Sequence, residues 1–483
     1  MKKTLLVYAT HVTDYAKVAL ILGALIGLNA CDKAANVSSN VNQTQTHSTH
    51  PSLSYPIVDT NQVIFYDQAH EISAPTTTQA FYGQNAQFSR HPMHYSVSQD
   101  SLTVMDHVTG LTWTRTADLN DDGVINTLDK LSFTQAKAYA AHLNEIKYAG
   151  FDDWRVPTIK QLYSLMSFSG VDAAGPHETN AKPFIDTQYF GFAYGDESKG
   201  ERAIDAQFWS STEYTGQVFH GAHAAFGLNL ADGRIKAYPI DAPHRVAKNF
   251  VYFVRGNAQY GQNQFTDNHD GTISDQATQL MWMKSDSQNG MNWQQALAWA
   301  QEKNAENFLG HNDWRLPTAK ELQSIVDYQR SPDATQSAAI NPIFSTTSIT
   351  NEAGQADYPW FWSSTTHVNS KNAGAQGTYI AFGRAMGYMM GTWTDLHGAG
   401  AQRSDPKAGK LDDIAIKVGE GYHINGQAQH PSERQAKQVN AAKAASQTLA
   451  DESLPRPAFN GHGPEDAIRI NNYVRLVRSI EGS

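Results

Sequence analysis

One ordered series of motifs runs twice along the chain, and this duplication constrains the fold more than any other feature. Asp106-x-x-Thr109-x-Leu111-x-Trp113 returns as Asp275-x-x-Thr278-x-Leu280-x-Trp282. Asp153-Trp154-Arg155-Val156-Pro157-Thr158 returns as Asp313-Trp314-Arg315-Leu316-Pro317-Thr318, and Phe208-Trp209-Ser210-Ser211-Thr212 as Phe361-Trp362-Ser363-Ser364-Thr365. Tyr82-Gly83-Gln84-Asn85 and Tyr260-Gly261-Gln262-Asn263 open the copies, and Val254-Arg255 and Val477-Arg478 close them. Two tandem units are therefore expected, 55–256 and 257–483. Between the first Trp and the Asp-Trp-Arg motif the offset falls from 169 to 160, so the first copy carries nine extra residues there. Before the closing pair it rises from 153 to 223, which places an insertion of 70 residues in the second copy, at about 393–465.

Within each copy the patterns are short. Ala136, Tyr139, Ala140 and Leu143 recur at helical spacing, as do Trp293, Ala296, Leu297 and Ala300, predicting one amphipathic helix per copy. A second helix is expected to begin at Thr158 and at Thr318. Gln161 and Glu321 stand three residues on, where a capping box satisfies orphan backbone N–H groups. The remainder, rich in Gly, aromatic and β-branched residues, reads as short, twisted, mostly antiparallel strands. The predicted class is α+β.

Composition narrows the function. A net charge of −10 over 483 residues, with no basic block, argues against a nucleic-acid partner. The chain has one cysteine, so neither an intrachain disulfide nor a cysteine-built metal site is expected. Cys31 follows Lys2-Lys3, the apolar run 18–28 and Ala30, the order of a secretory signal, and the run is too short to span a bilayer. Leu28-Asn29-Ala30-Cys31 resembles a bacterial lipobox. Residues 1–30 are thus expected to be a signal peptide and Cys31 the lipidated end, with 31–54 a polar tether to the membrane. His47 and His50 in that tether read as solvated.

The Asp-Trp-Arg-Leu/Val-Pro-Thr helix start, the Phe-Trp-Ser-Ser-Thr strand and the closing Val-Arg strand together resemble the Lcl C-terminal domain family, twice over, across about 82–478. The resemblance implies a C-type-lectin-like, formylglycine-generating-like fold in each unit and a place in the bacterial cell envelope or outside it. It also implies binding or adhesion, with glycans as the ligand class, rather than an assigned activity. Formylglycine generation itself needs cysteine chemistry that a lone lipobox thiol does not supply.

The nine extra residues of the first copy coincide with a metal-ligand pattern. Asp118, Asn120, Asp122, Asn126 and Asp129 stand at positions 1, 3, 5, 9 and 12 of a loop with Gly123 at position 6. That is the spacing with which an EF-hand-type loop wraps hard oxygens around calcium, the Val124 carbonyl supplying position 7. One calcium site is predicted, because Met283–Asn292 in the second copy lacks the pattern. Asp153, Trp154, Arg155, Asp313, Trp314 and Arg315 are read as structural, the acids and arginines pairing within each motif or capping backbone groups. The hydroxyls of Ser210, Ser211 and Thr212 and their counterparts are expected to satisfy backbone groups. His220-x-x-His223 lacks an evident third ligand. No hydrolase, zincin, P-loop or dinucleotide fingerprint occurs, so no catalytic residue is assigned. Tyr358–Trp362 and Trp393 are candidate sugar platforms, and Arg456, Arg469, Arg475 and Arg478 a candidate basic patch. The expected function is a calcium-stabilised, lipid-anchored binding module. A structural envelope component is the alternative, and an uncharacterised enzyme on this fold the least favoured.

Overall fold

The computed structural model describes residues 55–172, 180–219, 221–241, 246–370, 373–389, 392–409, 424–425 and 465–480. In the first copy the elements are β1 (Tyr95–Val97), β2 (Thr103–Asp106), β3 (Leu111–Thr114), α1 (Phe133–Glu145), α2 (Ile159–Tyr163), β4 (Gln207–Glu213), β5 (Ala224–Asn229), β6 (Arg234–Pro239) and β7 (Val254–Gly256). The second copy repeats them as β8 (Phe265–Asp267), β9 (Thr272–Asp275), β10 (Leu280–Met283), α3 (Trp293–Ala305), α4 (Ala319–Ser324), β11 (Trp360–His367), β12 (Gln376–Ala381), β13 (Gln402–Pro406) and β14 (Val477–Ser479). A further short helix, α5 (Pro332–Thr335), occurs in the second copy. The class is α+β, with antiparallel strands in several small sheets.

Local chemistry explains the helix starts. Ser132 and Asn292 cap α1 and α3, and Thr158 and Thr318 cap α2 and α4, each as half of a complete capping box. After α1 the chain turns through Lys147 and Ala149, both at φ 50°, and after α3 through Asn307 and Leu309 at φ 51° and 52°. Trp113 on β3 and Trp282 on β10 are wholly buried at matching positions. An indole withdraws about 150–250 Å² from water, and at about 25 cal/mol per Å² each is a major anchor of its copy.

In each copy the closing strand returns to the opening hairpin, giving the sheets β1-β2-β3-β7 and β8-β9-β10-β14. The other three strands of each copy merge into one six-stranded sheet, β11-β12-β13-β6-β5-β4. The copies meet where β6 pairs antiparallel with β13, Ile235 opposite Gln402. One face of this sheet carries Phe208, Phe226, Leu228, Ile235, Phe361 and Ile380 into a core shared by both copies. On the other face Trp209 packs with Phe133 beneath α1, and Trp360, Trp362 and Tyr379 pack with Trp293 beneath α3. Period-2 alternation thus divides a single sheet between one common core and two local ones.

Residues ahead of β1 bond both copies: the Phe168 N–H of the first donates to the Thr60 carbonyl at 2.7 Å and Asn61 donates to the Ser167 hydroxyl at 3.1 Å, while several others reach the second. The Gln62 side chain clasps Thr366 of β11, accepting its N–H at 2.9 Å and donating to its carbonyl at 2.7 Å. Asn85 accepts the Thr365 hydroxyl at 2.7 Å, Phe81 stacks on Trp293, and Gly83 (φ +94°) sits against Leu297 and Gln301 of α3. At the matching place on the first copy, Lys137 and Glu213 pair with each other at 2.8 Å in solvent. Of the stretch around 393–465, Gln402–Pro406 forms β13, the counterpart of β6, and Glu465–Ile468 pairs with Met386–Met389. Residues 410–423 and 426–464, like the signal region 1–30, Cys31 and the tether, lie outside the described residues.

Candidate functional site

The loop 118–129 joins β3 to α1 and is built from side-chain oxygens turned onto its own backbone. Asp118 Oδ2 accepts the Gly123 N–H at 2.8 Å, Asn120 Oδ1 that of Asp122 at 3.0 Å, and Asp122 Oδ1 that of Val124 at 2.9 Å. Gly123 holds φ +82°, a conformation a side chain would strain. Asn126 caps a turn of 3-10 helix over Thr127–Asp129 and accepts the Leu128 N–H at 2.8 Å. Asp129 closes the loop on itself, with Oδ1 accepting from Leu119 at 2.9 Å and Oδ2 from Asn126 at 2.8 Å. Ile125 turns inward against Gly191. All six residues expected to face a cation therefore lie in one tight loop.

Two features of that loop concern charge. The Asp129 carboxylate is wholly buried, and among the described residues no lysine or arginine pairs with it. Asp118 Oδ1 is buried with no hydrogen-bond partner. The Tyr139 hydroxyl donates to the Leu119 carbonyl, and burial first, then the charges of Asp129, Asp118 and Asp121, push its phenol above the usual range. Among the described residues no three His, Cys, Asp or Glu side chains are gathered as a metal cluster. Half of the donors expected here are of other kinds, the amides of Asn120 and Asn126 and the Val124 carbonyl. That carbonyl now faces the Asn126 amide at 3.3 Å. The corresponding stretch of the second copy is a plain turn in which Asp286 accepts the Thr347 N–H and hydroxyl.

The Asp-Trp-Arg motifs are wired differently from the expected internal pair. Asp153 bonds Arg255 of β7 at 2.6 Å, and Asp313 bonds Arg478 of β14 at 2.6 Å, so the Asp-Trp-Arg motif and the closing motif of each copy hold each other. Burial opposes the charge on Asp153, but its bond to Arg255 holds the carboxyl below the ordinary range. Arg155 instead donates to the Gly256 carbonyl, and Arg315 forms a buried two-pronged pair with Glu321. Trp154 and Trp314 are core residues whose ring N–H groups donate to Tyr148 and Phe308 carbonyls. Asn144 and Asn304, not singled out in the sequence, bind both backbone groups of these tryptophans. Their common offset of 160 was the available signal.

Other candidates are used up by the fold. Ser210, Ser211, Ser363 and Ser364 donate to the carbonyls of Phe226, Pro157, Thr378 and Pro317, while Thr212 and Thr365 receive the first N–H of α2 and α4. Trp360, Phe361 and Trp362 are buried rather than a platform, because β11 is covered on both faces. Tyr358 and Trp393 are partly buried. Arg469 pairs with Glu352, Arg475 donates to the Met283, Lys284 and Ser345 carbonyls, and Arg478 holds Asp313, so these arginines form no exposed basic patch. Arg456 and His220 lie outside the described residues, and no helix among those described is long and apolar enough to cross a membrane.

No curated protein and no solved structure matches the chain. The family model of the Lcl C-terminal domain matches it twice, over residues 102–255 and 271–395. The first match runs from the start of β2 to the closing arginine of β7, and the second from β9 to the point where the second copy lengthens. With more than half of its residues inside those two matches, the chain belongs to the Lcl C-terminal domain family, in tandem.

Proposed function

We propose that the chain is a lipid-anchored, extracytoplasmic binding module of the bacterial envelope, with no enzymatic activity, whose first unit is stabilised by one calcium ion. The observation that carries the calcium is the loop 118–129, where a buried Asp129 without a cationic partner and an orphaned Asp118 Oδ1 stand in a calcium-loop spacing. Asp118, Asn120, Asp122, Val124, Asn126 and Asp129 would hold the ion, which supplies charge balance and ties the insertion to the core. The return of each closing strand to its opening sheet supports the C-type-lectin-like reading of the two units. The Ser and Thr hydroxyls committed to backbone groups in both copies support a binding or structural role over catalysis.

Calcium titration calorimetry on the full chain, beside Asp118→Ala/Asp122→Ala, tests the ion. One site absent from the variant and a higher melting temperature in calcium are expected; no heat and no stabilisation refute it. Glycan-array binding with and without chelator tests the ligand class. Protease shaving of intact cells, with Cys31→Ala as the unlipidated control, tests the anchor. Burial of the proposed aromatic platform favours the second reading, a structural envelope component, and an empty array with normal calcium binding would select it.

A further inference from the structure

The opening hairpin of the first unit carries two histidines that nothing in the calcium reading uses. Tyr95 and Asp106 of β1 and β2 are paired and buried, so the residues alternating with them project to the outer face. His94 and His107 extend this ladder by one step: the His107 N–H donates to the His94 carbonyl at 2.9 Å. Directly opposite across two strands, their rings stand 4.6 Å apart between centroids, inclined by 35°, and both are exposed. Ser96 and Met105, the pair after Tyr95 and Asp106, share that face. Asp106, the nearest carboxylate in sequence, accepts the Val108 and Thr109 N–H groups on the other face.

We propose that His94 and His107 form a surface site for a first-row transition-metal ion, copper(II) foremost. Two imidazoles held side by side by a hydrogen-bonded ladder are pre-organised for one ion, and water completes the coordination. Imidazole nitrogen without carboxylate is a poor site for calcium or magnesium and a good one for the later divalent metals, of which copper(II) binds most tightly. The Ser96 hydroxyl lies 2.7 Å from His107 Nε2. In the tautomer protonated at Nε2 the hydroxyl accepts that proton and Nδ1 keeps the free lone pair, the arrangement in which the outer partner of a metal-binding histidine commonly holds it.

The test is copper(II) titration of the full chain, followed by calorimetry and electron paramagnetic resonance, with His94→Ala, His107→Ala and Asp118→Ala/Asp122→Ala in parallel. The expected result is one equivalent of nitrogen-ligated copper in the parent, lost in each histidine variant and kept in the aspartate variant. Melting curves check that the histidine variants, changed only at exposed positions, remain folded. Absence of such an equivalent in the parent, or its survival in either histidine variant, overturns the site. Loss of calcium binding leaves it untouched, so the two proposals fail separately.

Discussion

Arg155 and Arg315 occupy the same place in the repeated motif yet experience different surroundings. Arg155 is half-buried and gives one bond to the Gly256 carbonyl, whereas Arg315 is buried and pairs with Glu321 through both nitrogens. Burial opposes ionisation of Glu321, and the Arg315 charge overrides it to hold the carboxyl below its usual range. Arg315→Ala strands that carboxylate in the core and should cost about 3–5 kcal/mol, against about 1 kcal/mol for Arg155→Ala, both read by urea denaturation. Equal losses would mean that the Glu321 pair is not the difference. The pair's contribution is present above the unfolded carboxyl value and is lost as pH falls, because the folded state holds the proton less tightly. The sequence marked these residues as equivalent; only the Gln161-to-Glu321 exchange hinted that they are not.

Among the elements, α2 and α4 are joined by a reciprocal exchange. Lys160 donates to the Ser324 carbonyl at 2.7 Å, and Lys320 to that of Ser164 at 2.8 Å, each lysine reaching the C-terminal end of the other helix. Burial lowers Lys160 to about 8 and Lys320 to about 7. A lysine depressed on folding binds its proton more weakly in the folded state, so stability should rise with pH from about 7 toward the unfolded lysine value. Lys320→Met should flatten that slope in urea denaturation between pH 7 and roughly 10; an unchanged slope would remove Lys320 as its source. The loop 118–129 also belongs to this scale. Its oxygen spacing was readable because the side-chain oxygens of one short segment bond that segment's own backbone. The capping boxes expected at Thr158 and Thr318 were readable for the same reason, since each needs only two side chains three residues apart, and both form; the boxes at Ser132 and Asn292 are further ones that the structure adds.

Across the whole molecule the six-stranded sheet makes the two copies one folding unit. With β6 and β13 joined edge to edge and one core beneath them, thermal unfolding should be a single calorimetric transition, and two resolved transitions would contradict that joint. Deleting residues 32–91 should uncover Trp293, Leu297 and the outer edge of β11. Hydrogen exchange should then show loss of protection at Thr365–His367 with β4 unaffected; equal loss in both strands would show that the segment supports the whole sheet. What repeats was legible along the chain: the motif order, the helix starts, the family and the oxygen-rich loop are all set by local spacing or by identity between copies. Tertiary structure alone decided who pairs with whom. Asp153 and Asp313 look along the sequence to arginines two residues away, yet bond arginines 102 and 165 residues distant, because strand return brings those closer. The aromatic run 358–362 reads as a platform until β11 is covered on both faces. The two histidines sit thirteen positions apart and meet only because a hairpin lays their strands in register. Periodicity records which face a side chain takes, but its partner depends on chain segments whose separation in sequence carries no distance information.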